Sequence, residues 1–126
     1  MSGIKDNKIL SDVKLALDLN PDEVDADFDK PIISKINNAI GELAQLGLRN
    51  LGDFLVESGD ETWNDLLGED YQYVYAFAKN YIEIAVKLQW DTPQGGALKA
   101  ALDEQFKKAE FNVMTAIEHY NLCKEE

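Results

Sequence analysis

Apolar residues recur at every third or fourth position along most of this chain, the spacing of one buried face of an α-helix. From Lys8 to Leu17 the stripe is Leu10, Val13 and Leu17, with Asn7 placed to cap it, and Asn20-Pro21-Asp22 breaks the pattern. From Asp29 to Leu46 it is Ile32, Ile33, Ile36, Ile40 and Leu43. Asp29 suits the N-cap there, Pro31 the first turn, where its missing N–H costs nothing, and Gly47 the stop. Leu48 to Gly59 is irregular and reads as a packed loop with an extended piece around Phe54-Leu55-Val56. Asp60 to Leu67 predicts a short helix capped by Asp60, with Trp63, Leu66 and Leu67 turned inward.

A third long helix follows from Asp70 to Leu88, carrying Val74, Phe77, Ala78, Tyr81, Ala85 and Leu88. After the tight connection Trp90-Asp91-Thr92-Pro93-Gln94-Gly95-Gly96, the last helix runs from Ala97 to Leu122 on Leu98, Leu102, Phe106, Ala109, Val113, Ala116 or Ile117, and Tyr120. The expectation is an all-α fold: a small bundle of three long and two short helices with a long C-terminal helix. It forms one domain over residues 1–126, with flexible ends at 1–7 and 121–126. Trp63 and Trp90 are the expected core anchors, one on the short helix and one at the turn before the last helix.

Charge narrows the possible partners. The 126 residues hold 24 acids against 12 bases, a net charge of −12. Such a surface repels nucleic-acid phosphates and anionic membranes, because both are bound through Lys and Arg. No run approaches the ~20 apolar residues of a membrane span, and the segment from Met1 to Asp6 has no stretch of signal-peptide length. A soluble cytoplasmic protein is expected, with Cys123 lacking any intramolecular disulfide partner.

Candidate chemistry fails on its missing parts. Asp25-Ala26-Asp27-Phe28-Asp29 begins like a calcium loop, but the glycine needed at its sixth position is Lys30 and the glutamate needed at its twelfth is Ile36. His119 and Cys123 lie four residues apart, with no second His or Cys to complete a zinc shell or a nucleophile–base pair. Gly95-Gly96 precedes a helix without the Lys-Ser or Lys-Thr of a phosphate loop. Tyr71, Tyr73, Tyr75, Phe77 and Tyr81 lack the interleaved cations of a base-stacking surface, and fit core and interface packing better. No catalytic residue, metal or cofactor is expected.

Several segments taken in order carry a resemblance: Asp12-Val13-Lys14, then an acidic loop, Ile36-Asn37-Asn38-Ala39-Ile40 leading to Gln45-Leu46-Gly47, and Glu61-Thr62-Trp63-Asn64-Asp65-Leu66-Leu67. Tyr81-Ile82, Leu88-Gln89-Trp90-Asp91-Thr92-Pro93, Ala97-Leu98-Lys99 and Glu110-Phe111-Asn112-Val113 complete it. From Ile9 to Ile117 the chain resembles the small head–tail connector (adaptor, head-completion) proteins of long-tailed phages. It departs from them at Trp90-Asp91-Thr92-Pro93, where the family commonly has a phenylalanine and two prolines. It departs again at Glu110-Phe111-Asn112-Val113, where Glu-Trp-Arg-Leu is frequent, so no arginine salt bridge carries over to Asn112.

The resemblance implies a non-enzymatic virion protein of the neck, present in the host cytoplasm before assembly. It implies copies that form a ring below the portal protein, extend the DNA channel without gripping DNA, and receive the next neck, stopper or tail-completion protein. The end of the last helix, with Phe111, Val113, Met114, Ile117 and Tyr120, is the expected portal or partner contact, since its apolar residues lie on more than one side. The alternative is an acidic protein-binding or inhibitor module that mimics DNA. Thirteen of the acids fall in two stretches, Asp18–Asp29 and Asp53–Asp70, which read as loops more than as a phosphate-like strip.

Overall fold

A computed structural model describes residues 7–23, 26–48, 51, 54–68, 74–90 and 96–124, without the side chains of 26, 28, 96–98 and 120–124. Five helices follow in order: α1 (Ile9–Ala16), α2 (Ala26–Leu46), α3 (Trp63–Leu67), α4 (Tyr75–Trp90) and α5 (Gly96–Lys124). Among the described residues there is no strand, only an isolated antiparallel bridge between Lys8 and Thr62. The fold is the all-α arrangement of three long and two short helices that the apolar spacing predicts.

The central helix is α4, which packs on α2 along one side and on α5 along another, with α1 and α3 against it as well. The core between them holds Ile9, Val13, Ile32, Ile36, Leu43, Trp63, Val74, Ala78, Ile82, Val86 and Val113, each at zero accessibility. Burying a large aliphatic side chain stabilises by about 1.5–3 kcal/mol. That packing, rather than propensity, holds helices as short as α1 and α3.

The helix starts differ from the sequence reading, each for a local reason. Asn7 does not cap α1. Lys8 occupies the cap position in extended backbone without a side-chain bond. Ile9 N–H instead donates to Glu61 O at 2.9 Å, and Trp63 N–H donates to Asn7 O, so the chain ahead of α3 closes the start of α1. Asp60 does not cap α3 either, but pairs with Lys8 at 2.9 Å. The cap is Thr62: its hydroxyl accepts from Asp65 N–H while the Asp65 carboxylate accepts from Thr62 N–H, a reciprocal capping box.

Helix α2 begins at Ala26, three residues before the expected Asp29, so Pro31 lies inside the helix rather than in its first turn. Asp29 is buried and forms a salt bridge with Lys14 of α1 at 2.7 Å. Lys14 also donates to Glu23 O at 2.8 Å, fastening the turn between the two helices. The start of α4 expected at Asp70 lies outside the described residues, and its end runs past Leu88 to include Trp90.

Two glycines sit where a side chain would not. Gly59 has φ +92°, and a Cβ there would fall 2.7 Å from Leu10 Cδ2. Gly47 ends α2 at φ +140°, and a Cβ would press on Ile117 of α5.

Candidate functional site

The residues with chemical character are mostly spent on holding helices together. Trp63, at zero accessibility, donates its indole N–H to Asp12 Oδ2 at 2.7 Å and meets Tyr75 edge-on at a centroid distance of 6.2 Å. Tyr81 is buried, donates to Glu42 at 2.8 Å and packs on Phe106 at 5.0 Å. Its hydroxyl pKa is pushed above the usual tyrosine range, first by burial and then by the bond to Glu42 and that carboxylate's charge. Burial likewise raises Glu83, against the opposing pull of Lys79 at 2.9 Å.

Asn37 binds the connection between α2 and α3 in two-pronged fashion, donating to Val56 O and accepting from Val56 N–H. Glu61 takes three backbone N–H groups, from Glu57, Ser58 and Gly59. Partial burial raises its pKa, but those donors outweigh it and leave the carboxyl below its ordinary value.

These bonds bear on a DNA-mimic surface. Asp12 and Asp29 are buried and paired, Glu61 turns into its own loop, and Asp65 caps α3. A phosphate-like strip needs carboxylates displayed free to solvent, whereas Asp12 and Asp29 are internal and Glu61 and Asp65 are spent on their own backbone. Among the described residues no group of three or more His, Cys, Asp or Glu side chains converges as a metal site. Asp27 and His119 are exposed, whereas Asp25 and the side chain of Cys123 lie outside the described residues. No helix among the described residues is long and apolar enough to cross a membrane.

The aromatic run divides by position. Tyr75 and Tyr81 are buried, Phe77 is partly exposed, and Tyr71 and Tyr73 lie outside the described residues. Of the two expected anchors, Trp63 is fully enclosed, while Trp90 is half-buried at the end of α4, with Lys35 Nζ of α2 5.9 Å from its ring centroid.

The C-terminal helix presents two faces. Ala109, Val113 and Ile117 turn into the subunit's own core, Ile117 against the end of α2 at Gly47. Of the expected contact residues, Val113 is at zero accessibility and Ile117 is buried. Phe111 is 66% exposed and Met114 47%, and the side chain of Tyr120 lies outside the described residues. Lys107, Phe111 and Met114 follow at i, i+4 and i+7, so they share one outward stripe. The helical spacing of Ala109, Val113 and Ile117 already marks the inward face in the sequence, and Phe111 and Met114 fall off that stripe.

Beside that stripe, α4 and α5 enclose an open groove of about 270 Å³ lined by Asn80, Ile84, Gln105, Lys108, Ala109 and Asn112. Nothing in the sequence marks it, since it arises from small and polar residues facing each other across two helices.

Comparison with curated proteins and with solved structures gives no match. Comparison with family models does: the phage connector protein model matches residues 9–120, from the first residue of α1 into the last turns of α5. Helices α1 to α4, the capping box and all but the last four residues of α5 lie inside that span, and the chain belongs to the phage connector protein family.

Proposed function

We propose that this protein is a structural subunit of the phage neck, copies of which form a ring below the portal, continue its DNA channel and receive the next neck, stopper or tail-completion protein. Membership of the connector family over residues 9–120 carries the reading. The net charge of −12 supports it, because an acidic channel wall does not hold DNA that must leave quickly. In this reading the portal contact is the outward stripe of α5, with Phe111 and Met114 as its apolar centre and Tyr120 further along the same helix. Exposed large apolar side chains on a helix whose other face is already buried are suited to a partner.

The test pairs thermal melting with co-sedimentation on cognate portal rings. Phe111→Glu and Met114→Lys should leave the melting temperature within the range of ordinary surface substitutions, about ±0.5 kcal/mol in stability, and should abolish co-sedimentation. Docking that survives both changes would move the portal contact off α5, and loss of the fold would make these residues part of the core.

A further inference from the structure

Between α2 and α3, the segment from Phe54 to Asp60 is held in one shape. Its residues carry no regular structure, yet Asn37 holds Val56, Glu61 holds Glu57, Ser58 and Gly59, Lys8 pairs with Asp60, and Gly59 sits against Leu10. Outward it offers Leu55, 57% exposed, with Glu57, Ser58 and Asp60 exposed beside it. A segment already held in one shape loses little entropy when it docks.

The groove between α4 and α5 has the complementary chemistry. Ile84 and Ala109 give it an apolar floor, and Lys108 supplies a cation that forms no ion pair among the described residues. Asn80, Gln105 and Asn112 line it with carboxamides that have no hydrogen-bond partner among the described residues, and each can both donate and accept. Acids are concentrated on the loop's side of the sequence: residues 1–75 hold 16 acids and 6 bases, while residues 76–126 hold 8 and 6 and are only weakly acidic.

Within one chain the loop cannot enter the groove, because it is bonded to α1 and α2 while the groove belongs to α4 and α5. Resting on the ring reading above, we propose that the Phe54–Asp60 loop of one copy seats in the α4–α5 groove of the next, with Leu55 against Ile84 and Glu57 against Lys108. Such a contact joins unlike surfaces, so it repeats around a closed ring. It also leaves the Phe111–Met114 stripe free for the portal.

The experiment is cysteine cross-linking in a Cys123→Ser background, with subunits assembled alone and on cognate portal rings. A mixture of Leu55→Cys and Gln105→Cys subunits should give a disulfide-linked dimer that neither gives alone, and the double variant should give a ladder of multimers. Leu55→Cys mixed with Phe111→Cys should give none. Glu57→Lys and Lys108→Glu should each weaken subunit association roughly twofold to fivefold per contact, and combining both in one chain should restore it. Leu55, Glu57, Gln105, Lys108 and Phe111 are exposed, so circular dichroism should be unchanged by their substitution. Rings that form without the 55–105 link, or that ignore the charge exchange, overturn this contact and leave the connector reading standing. Absence of any oligomer, free or on the portal, overturns both.

Discussion

Trp63 and Trp90 look alike in the sequence, each a lone tryptophan flanked by polar residues, yet they differ in burial and in what holds them. Trp63 is enclosed and bonded to a buried carboxylate, so Trp63→Ala opens a large cavity and strands Asp12. The expected cost is ~3–5 kcal/mol. Trp90 keeps one side in solvent, and Trp90→Ala should cost roughly half as much, by the same cavity argument; urea melts of the two variants measure the difference. Glu61 carries a pH signature. Its folded pKa is depressed, so its contribution is present above the ordinary glutamate range and is lost as pH falls through the lower folded value. Glu61→Gln should therefore lose stability at neutral pH and flatten the acid limb of the stability profile, which melts between pH 7 and pH 3 will reveal.

At the scale of elements, the C-terminus of α1 is a device the sequence hid. Leu19 N–H returns to Lys14 O at 2.8 Å and Asp18 N–H to Leu15 O at 3.1 Å, the paired bonds of a Schellman turn, with Asp18 at φ +63°. An aspartate there is strained and places a negative charge at the negative end of the helix dipole. Asp18→Gly should raise stability by up to ~1 kcal/mol, visible as a higher melting temperature. The Lys14–Asp29 bridge joins α1 to α2 with side chains only 4% and 10% exposed. Lys14→Met alone strands a buried carboxylate and should cost ~3–5 kcal/mol, whereas Lys14→Met with Asp29→Leu should recover most of it; a double-mutant cycle separates the two.

These same places show what periodicity can and cannot convey. The stripes of α2, α4 and α5 were legible because helical spacing is a local property. The starts of α1 and α2 were not, because Glu61 and Lys14 act through partners that sequence order does not pair, whereas at α3 the Thr62–Asp65 spacing is a local signal that competes with Asp60. On α5 the stripe of Ala109, Val113 and Ile117 was legible as the inward face, but how open Phe111 and Met114 are left required the packing of the helix against α4.

For the whole molecule, the excess of acids works against compactness at low salt. Self-repulsion at a net charge of −12 is screened as the Debye length contracts to about 8 Å near physiological ionic strength. The melting temperature should rise between 10 mM and 150 mM sodium chloride, and a fall would show that attractive pairs such as Lys8–Asp60 dominate instead. The placement of the two indoles has an optical consequence. Trp63 is shut away with its N–H on a carboxylate, and Trp90 sits half in water below an ammonium group. Fluorescence from the folded subunit therefore combines a blue-shifted emitter shielded from acrylamide with a red-shifted one open to it. Collisional quenching divides the signal without any attached dye. A binding event near the end of α4 would change the quenchable fraction, while loosening of the joint between α1 and α3 would change the shielded one.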